Sequence, residues 1–556
     1  MTHSKPASLR IWLIPLSVLL LASACTLFVT LWVDSRMLRH GTDVLFLMFH
    51  PNPAAAATTL GNAGEIVAAV LAIALTVVSI VVELASNRYT HRVTELFVAE
   101  PINFVVMSIF VVTAVQALWV TMTIDGTHFV PYFAVGVTMV MLTICLLILL
   151  PYFAFVFAFL NPVQIVQRIC THTLDVVARP SRRQGLALRK REVIRGVEQL
   201  ADVAVNAMEH RDKGVSMASV HALKRLLLDY RSLRGQLPDA WFQVEEELAQ
   251  NPDFVSMDEQ VLADVAARRC WVEMKVMRQY QTIYGEALHR MRDISYVIAI
   301  DTRLIAEQAQ RDGDAHLLHL CMKFINTYVR AAINARDVRT AYNVFNQYRL
   351  LAQSLLDTRE GGYTIEIARY FKYYGVIAYA ANLPFILETV AYDLCALTEL
   401  AFERSSPVFA ELLTILLSVD KESEGDVQET SLRGVRKAQV KLATFFLLRN
   451  EEALARQVFS DMANEDPARL VSIRDELIAV RAADYWEIID RGSNFDYVPL
   501  DRRPYLTVFF GWFERLRDVR AVAVSTSPAA PGQGGPGGSG GQAAQGTRAS
   551  RDSLEH

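Results

Sequence analysis

Four apolar stretches, Ile11 to Val33, Glu65 to Ala85, Phe104 to Ile124 and Val130 to Leu160, fill the first 160 positions of a 556-residue chain, and none follows. Each approaches the roughly 20 apolar residues needed to cross a hydrocarbon layer about 30 Å thick, whereas a helix inside a soluble core is usually shorter and amphipathic. The chain therefore reads as a multi-pass membrane protein. Its mean hydropathy of +0.22 averages two regimes, because charges make up 21% of the residues and lie almost wholly beyond position 165.

The domain organisation follows from that contrast. Residues 1–163 read as a four-helix transmembrane domain, 164–195 as a basic juxtamembrane segment, 196–523 as a cytoplasmic α-helical domain and 524–556 as a disordered tail rich in Gly, Pro, Ser and Ala. Ala22-Ser23-Ala24-Cys25 has the look of a loose lipoprotein cleavage box, but apolar residues continue to Trp32, so the first stretch is read as a retained helix.

Orientation comes from Lys and Arg beside the spans, which favour the cytoplasmic side. Lys5 and Arg10 precede span one, Arg88 and Arg92 separate spans two and three, and a dense basic run follows span four. The loop 125–129 has none, and only Arg36 and Arg39 dissent. Both termini are expected in the cytoplasm of a cell whose inner membrane carries the protein. The basic run, with Arg179, Arg182, Arg183, Arg189, Lys190 and Arg191, is expected to lie against anionic lipid. The formal net charge of -4 gives no reason to expect nucleic acid.

Polar residues within spans stand out because an unpaired polar group in lipid is costly. Thr76, Ser79, Glu83, Ser86 and Asn87 fall within an arc of about 100° on span two. Together with Gln116 of span three they form the candidate intramembrane polar or pore-lining site. Three readings stand: Glu83 sits near the interface and pairs with Arg88, the stripe packs against Thr113 and Gln116, or Glu83 lines a water-filled path in an oligomer.

Motifs for chemistry are missing. The six cysteines form no C-x-x-C pair, and of His316, His319 and Cys321 only the histidines share a helical face. Gly532, Gly534 and Gly537 have dinucleotide-loop spacing without a flanking strand or helix. No phosphate-binding loop, nucleophile elbow or zinc-binding H-E-x-x-H occurs, so no cofactor, metal or enzymatic activity is expected.

Trp12-Leu13-Ile14-Pro15, Leu84-Ala-Ser-Asn-Arg-Tyr-Thr-His-Arg92, Phe129-Val130-Pro131 and the stretch beginning Gly196-Val-Glu-Gln-Leu resemble the uncharacterised bacterial membrane family labelled domain of unknown function 2254, over about residues 9–230. That family has Pro where His91 stands, and its Asn-Asp-Pro motif is replaced by Arg211-Asp-Lys-Gly. The resemblance imports no activity.

Beyond residue 195 amphipathic helices succeed one another, broken at segments such as Arg311-Asp-Gly-Asp and Arg404-Ser-Ser-Pro. Within 437–467, Leu442, Ala443, Phe446, Ala455, Phe459 and Pro467 resemble a single tetratricopeptide repeat. The fold class is therefore all-α: four spans followed by an irregular α-solenoid or bundle with tetratricopeptide-like hairpins. The aromatic cluster near the end, including Trp486, Phe495 and Tyr497, either caps the last helices or receives a partner. Two functions remain open. One is an anchored scaffold, with the bilayer and a protein or second copy as partners; the other is a subunit of an oligomeric channel or transporter.

Overall fold

In the computed structural model, residues 6–37, 53–88, 94, 97–98, 100–124, 131–179, 185–356, 361–420, 429–484, 490–492, 494–514 and 516 are described. The tail 524–556 and Trp486, Arg182 and Arg183 lie outside them. The described residues contain helices and no strand.

Four helices are long and apolar enough to cross a membrane: α1 (Pro6–Met37), α2 (Pro53–Arg88), α3 (Pro101–Thr123) and α4 (Tyr132–Phe159). The second is much longer than its apolar stretch, because Pro53 at its first turn and a run of Ala and Thr extend the helix towards the N-terminus. Pro151 sits inside α4, which runs on to Phe159. Leu60, Val120, Ala134 and Val135 form a buried cluster among α2, α3 and α4. Leu27 and Leu31 of α1 pack on it.

Asn161 ends that bundle and starts the next element, its side chain accepting from Val163 N at 3.0 Å as the cap of α5 (Pro162–Ala178). Although this helix falls in the expected basic segment, it is amphipathic and buries Ile165, Val166, Ile169, Val176 and Val177. It packs on both α6 (Leu186–Glu209) and α7 (Lys213–Arg234). Gly196 makes the α5–α6 approach feasible, since a Cβ there would stand 2.0 Å from Thr173 Oγ1.

After α7 the chain detours through the short α8 (Glu246–Ala249) and α9 (Glu259–Ala267) before α10 (Trp271–Arg290). Trp241 and Trp271 anchor the detour, with Trp271 Nε1 donating to Trp241 O at 2.9 Å and Trp241 Nε1 to Tyr230 Oη at 3.1 Å. There follow α11 (Arg292–Arg311), α12 (Ala315–Asn334), α13 (Val338–Leu355), α14 (Gly361–Ala380), α15 (Pro384–Glu403) and α16 (Phe409–Leu416). Packing defines two layers: α6, α10, α12, α14 and α16 in one, α7, α11, α13 and α15 in the other. This is the stacked-hairpin architecture expected of the domain.

One regularity lies beyond that expectation. Helices α11 to α15 begin at Arg292, Ala315, Val338, Gly361 and Pro384, a step of 23 residues each time. Described turns along the stack and the second unit share a design. Arg211, Arg269, Gly313, Arg336, Asn382, Ser405 and Asn450 take positive φ, and the N–H of each following residue returns to a carbonyl five positions back, as in Asp212 to Ala207 O, Asp314 to Ala309 O and Asp337 to Ala332 O. This closure caps one helix, and the aspartate of the same turn starts the next by accepting from Val215, Leu317 or Thr340 N. Arg is unusual in the left-handed region, so turn composition hid the break at Arg269.

Buried charges tie neighbouring helices together. Asp301 of α11, fully buried, receives Lys224 Nζ at 2.5 Å and His221 Nδ1 at 2.8 Å from α7. Lys275 of α10, 1% exposed, reaches Glu198, Asn251 and Asp253. Glu273 is fully buried with Arg234 Nη1 at 3.5 Å and no hydrogen bond to either carboxylate oxygen. Burial pushes its carboxyl from 4.5 up to about 7, with Arg234 acting in the opposite sense. The folded state thus holds a proton that the unfolded chain releases, and stability falls as pH rises from about 4.5 through 7. Glu273→Gln removes that penalty. Its melting temperature relative to the parent is expected to climb between pH 5 and 8, by the equivalent of about 3 kcal/mol at most. A constant offset across that range in thermal unfolding would refute it.

A second compact unit comprises 439–487 and 492–556; the division falls within α17 (Glu429–Leu448). In this unit Leu442, Ala443 and Phe446 of α17 and Ala455 and Met462 of α18 (Glu452–Met462) are buried. It continues through α19 (Pro467–Ala479) and α20 (Arg503–Gly511). Phe459, Phe509, Trp512 and Phe513 pack edge to face.

Candidate functional sites

Span two directs its polar stripe away from its own bundle. Thr76, Ser79, Glu83 and Asn87 are exposed, while Val67, Ala74, Val78, Val82 and Ser86 face inward. Packing of the stripe against Thr113 and Gln116 is therefore corrected. Those two are fully buried elsewhere: Gln116 Nε2 donates to Thr30 Oγ1 of α1 at 3.3 Å, and Thr113 Oγ1 accepts from Cys145 Sγ of α4 at 3.3 Å. The side chain of Arg88 lies outside the described residues, and with it the proposed pair to Glu83.

The exposed column is longer than the sequence pattern alone suggests. Thr58, Asn62, Glu65, Ala69, Ala72, Thr76, Ser79 and Glu83 alternate steps of four and three, and all are exposed. A 3.5-residue period keeps them in one seam of small or polar side chains. Glu65 and Glu83 are 18 positions apart, about 27 Å at 1.5 Å per residue, which sets the two carboxylates near opposite borders of a hydrocarbon layer. Between them Thr76 turns its hydroxyl inward to Ala72 O at 2.9 Å.

Polar groups inside the bundle do structural work that sequence reasoning missed. Asp34, 4% exposed near the end of α1, accepts from Phe133 N at 2.8 Å and Ala134 N at 2.9 Å, capping α4 from a neighbouring helix. Pro131 before α4 offers no side-chain acceptor, so the cap has to be borrowed. Tyr152 Oη donates to Asn103 Oδ1 at 3.2 Å.

Two members of the basic run, Arg189 and Lys190, are consumed by the fold, which corrects their assignment to the lipid surface. Lys190 is 4% exposed and donates to Gln243 O at 2.9 Å. Arg189 Nε donates to Val176 O at 2.9 Å, closing the end of α5, and Arg191 pairs with Glu247. Arg179 remains exposed. Of the aromatic partner residues, Phe495 and Tyr497 are half-buried; the Phe495 carbonyl accepts from Lys441 Nζ, and the Arg503 guanidinium lies 5.7 Å from the Tyr497 ring centre. Such contacts suit capping of this unit. His316 and His319 lie one turn apart while Cys321 is fully buried, and no group of three metal-binding side chains occurs among the described residues.

A bundle of four apolar helices leading directly into α5 and α6 frames the comparison with known proteins. Residues 9–212 match the family described as "Predicted membrane protein (DUF2254)". The match takes in the four spans together with α5 and α6, and it ends at Asp212, the cap of α7. It makes this region that of a membrane protein and brings no activity with it. No curated protein matches the chain. A solved "Circular tandem repeat protein with novel repeat topology and enhanced subunit contact surfaces" aligns with 65% of this chain and 92% of its own at 17% identity, with a TM-score of 0.29 that is too low to bear on the fold.

Proposed function

We propose that this protein is a non-catalytic scaffold of the bacterial inner membrane, in which four spans hold a two-layer helical stack at the cytoplasmic surface for protein partners. What carries the reading is the junction: two residues separate α4 from α5, and α5 packs on both α6 and α7, so the stack is fixed to the bundle rather than tethered by a linker. The bias of Lys and Arg towards one side supports cytoplasmic termini. A fluorescent reporter fused after Val522 is expected to light up in the cytoplasm, and alkaline phosphatase at the same place to stay inactive. Active phosphatase would overturn the orientation. Purification in mild detergent should bring down a stoichiometric partner or a second copy, and a bare monomer would overturn the scaffold.

The outward column on α2 favours a second reading, in which copies meet through this face and the spans enclose a path. Cysteine at Ser79 would then cross-link between copies, and liposomes would pass cations until Glu83→Ala.

A further inference from the structure

A cleft of about 440 Å³ opens between α9, α10 and α12, within the range that small ligands occupy. Its walls come from three sequence regions: Met257 to Cys270, Met274 to Gln281 and His316 to Thr327. The floor is apolar, built by Val261, Val265, Met274, Leu320 and Phe324. Around it stand Arg268, Arg278, Lys323, His316 and His319, against the single carboxylate of Asp264.

These cations are poorly neutralised. Arg268 meets Asp264 at 3.5 Å, but Arg278 spends its donors on neutral acceptors, Asp253 O at 3.2 Å and Gln281 Oε1 at 3.2 Å, and Lys323 pairs with no carboxylate among the described residues. Two other clefts differ. One sets Lys213, Arg292 and Arg339 against Asp293 and Asp490, and the other sets Lys190, Arg191 and Arg195 against Glu198, Glu245 and Glu247. His319 registers the surplus: burial pulls it below the usual histidine range, Lys323, Arg268 and His316 add to the effect, and only Glu366, 3.8 Å away, opposes them. The cleft offers no obvious nucleophile, because burial pushes the Cys270 thiol up to about 12. Convergent cations above an apolar floor recognise an anion with a hydrophobic portion, by charge-assisted hydrogen bonds at one end and apolar burial at the other.

We propose that the α9–α10–α12 cleft binds a small amphipathic anion, a phosphate or carboxylate carrying an apolar group. The anion belongs either to a soluble compound or to a lipid headgroup. The full chain in nanodiscs of zwitterionic lipid, titrated calorimetrically with phenyl phosphate, should bind it saturably and at least about tenfold more tightly than inorganic phosphate or phenyltrimethylammonium. Arg268→Gln with Lys323→Gln, both at exposed positions, should weaken phenyl phosphate by a further factor of about ten. For a carboxylate probe such as benzoate, which stays ionised there, affinity should rise as pH falls below the usual histidine range, and His319→Gln should flatten that rise. Repeating the titration in nanodiscs with anionic phospholipid separates the sources: weaker apparent affinity points to a headgroup, an unchanged one to a soluble ligand. Absence of saturable binding, equal binding of the cation, or affinity indifferent to the double substitution would overturn the proposal.

Discussion

Lys275→Met is expected to lower the stability of the helical stack by about 3 kcal/mol, because a buried ion-pair network loses its cation while its carboxylates stay in place. The ammonium is 1% exposed and sits among the Glu198 and Asp253 carboxylates and Asn251 Oδ1, with Gln279 Nε2 at 2.5 Å from Asp253 sharing the load. Methionine fills the volume but leaves acceptors without their donor. Asp253, with its side chain 14% exposed, carries most of the loss, while Glu198, 34% exposed, regains water and offsets part of it. A thermodynamic cycle checks the origin. Asp253→Asn added to Lys275→Met should recover part of the loss, so that the two changes are markedly less than additive in thermal unfolding. Strict additivity would mean that the ammonium is not coupled to that carboxylate.

Gly196→Val is the second, with an expected loss of about 3 kcal/mol and a loosened α5–α6 contact. A Cβ at this position would meet Thr173 Oγ1 at 2.0 Å and Thr173 Cβ at 3.0 Å, and the hydroxyl is held by Ile169 O at 2.7 Å. The helices must therefore separate. Because α5 joins the membrane bundle to the stack, hydrogen exchange should quicken in both α5 and the start of α6 while α11 to α15 stay protected. Gly196→Ala should be milder, and Thr173→Ala should relieve it by removing the 2.0 Å contact. If Gly196→Val melted at the parent temperature, the close approach would be disproved.

Several features were legible before any tertiary information. Hydropathy is a property of consecutive residues, so the four spans and the polar helical region after them could be read from composition alone. The two helices within 437–467 were legible too, as the end of α17 and α18, with Ala443 and Ala455 both fully buried. The 23-residue step was harder to see. Its described turns are closed by backbone geometry at Gly313, Arg336 and Asn382, and at Arg336 the residue type carries no turn signal.

What the sequence determined by itself is the solvent of each segment: lipid for the first four helices, water for the surface of the rest. The tertiary structure alone decided which way each polar residue faces. It turned Thr76, Ser79 and Glu83 outward and Gln116 inward, spent Asp34 on capping α4, buried Lys190 and Lys275, and gathered Arg268, Arg278, His319 and Lys323 around one cleft. The physical reason is range. Helical periodicity says which residues share a face, but what that face meets depends on helices tens of residues away, and burial and charge acquire their energy only from that company.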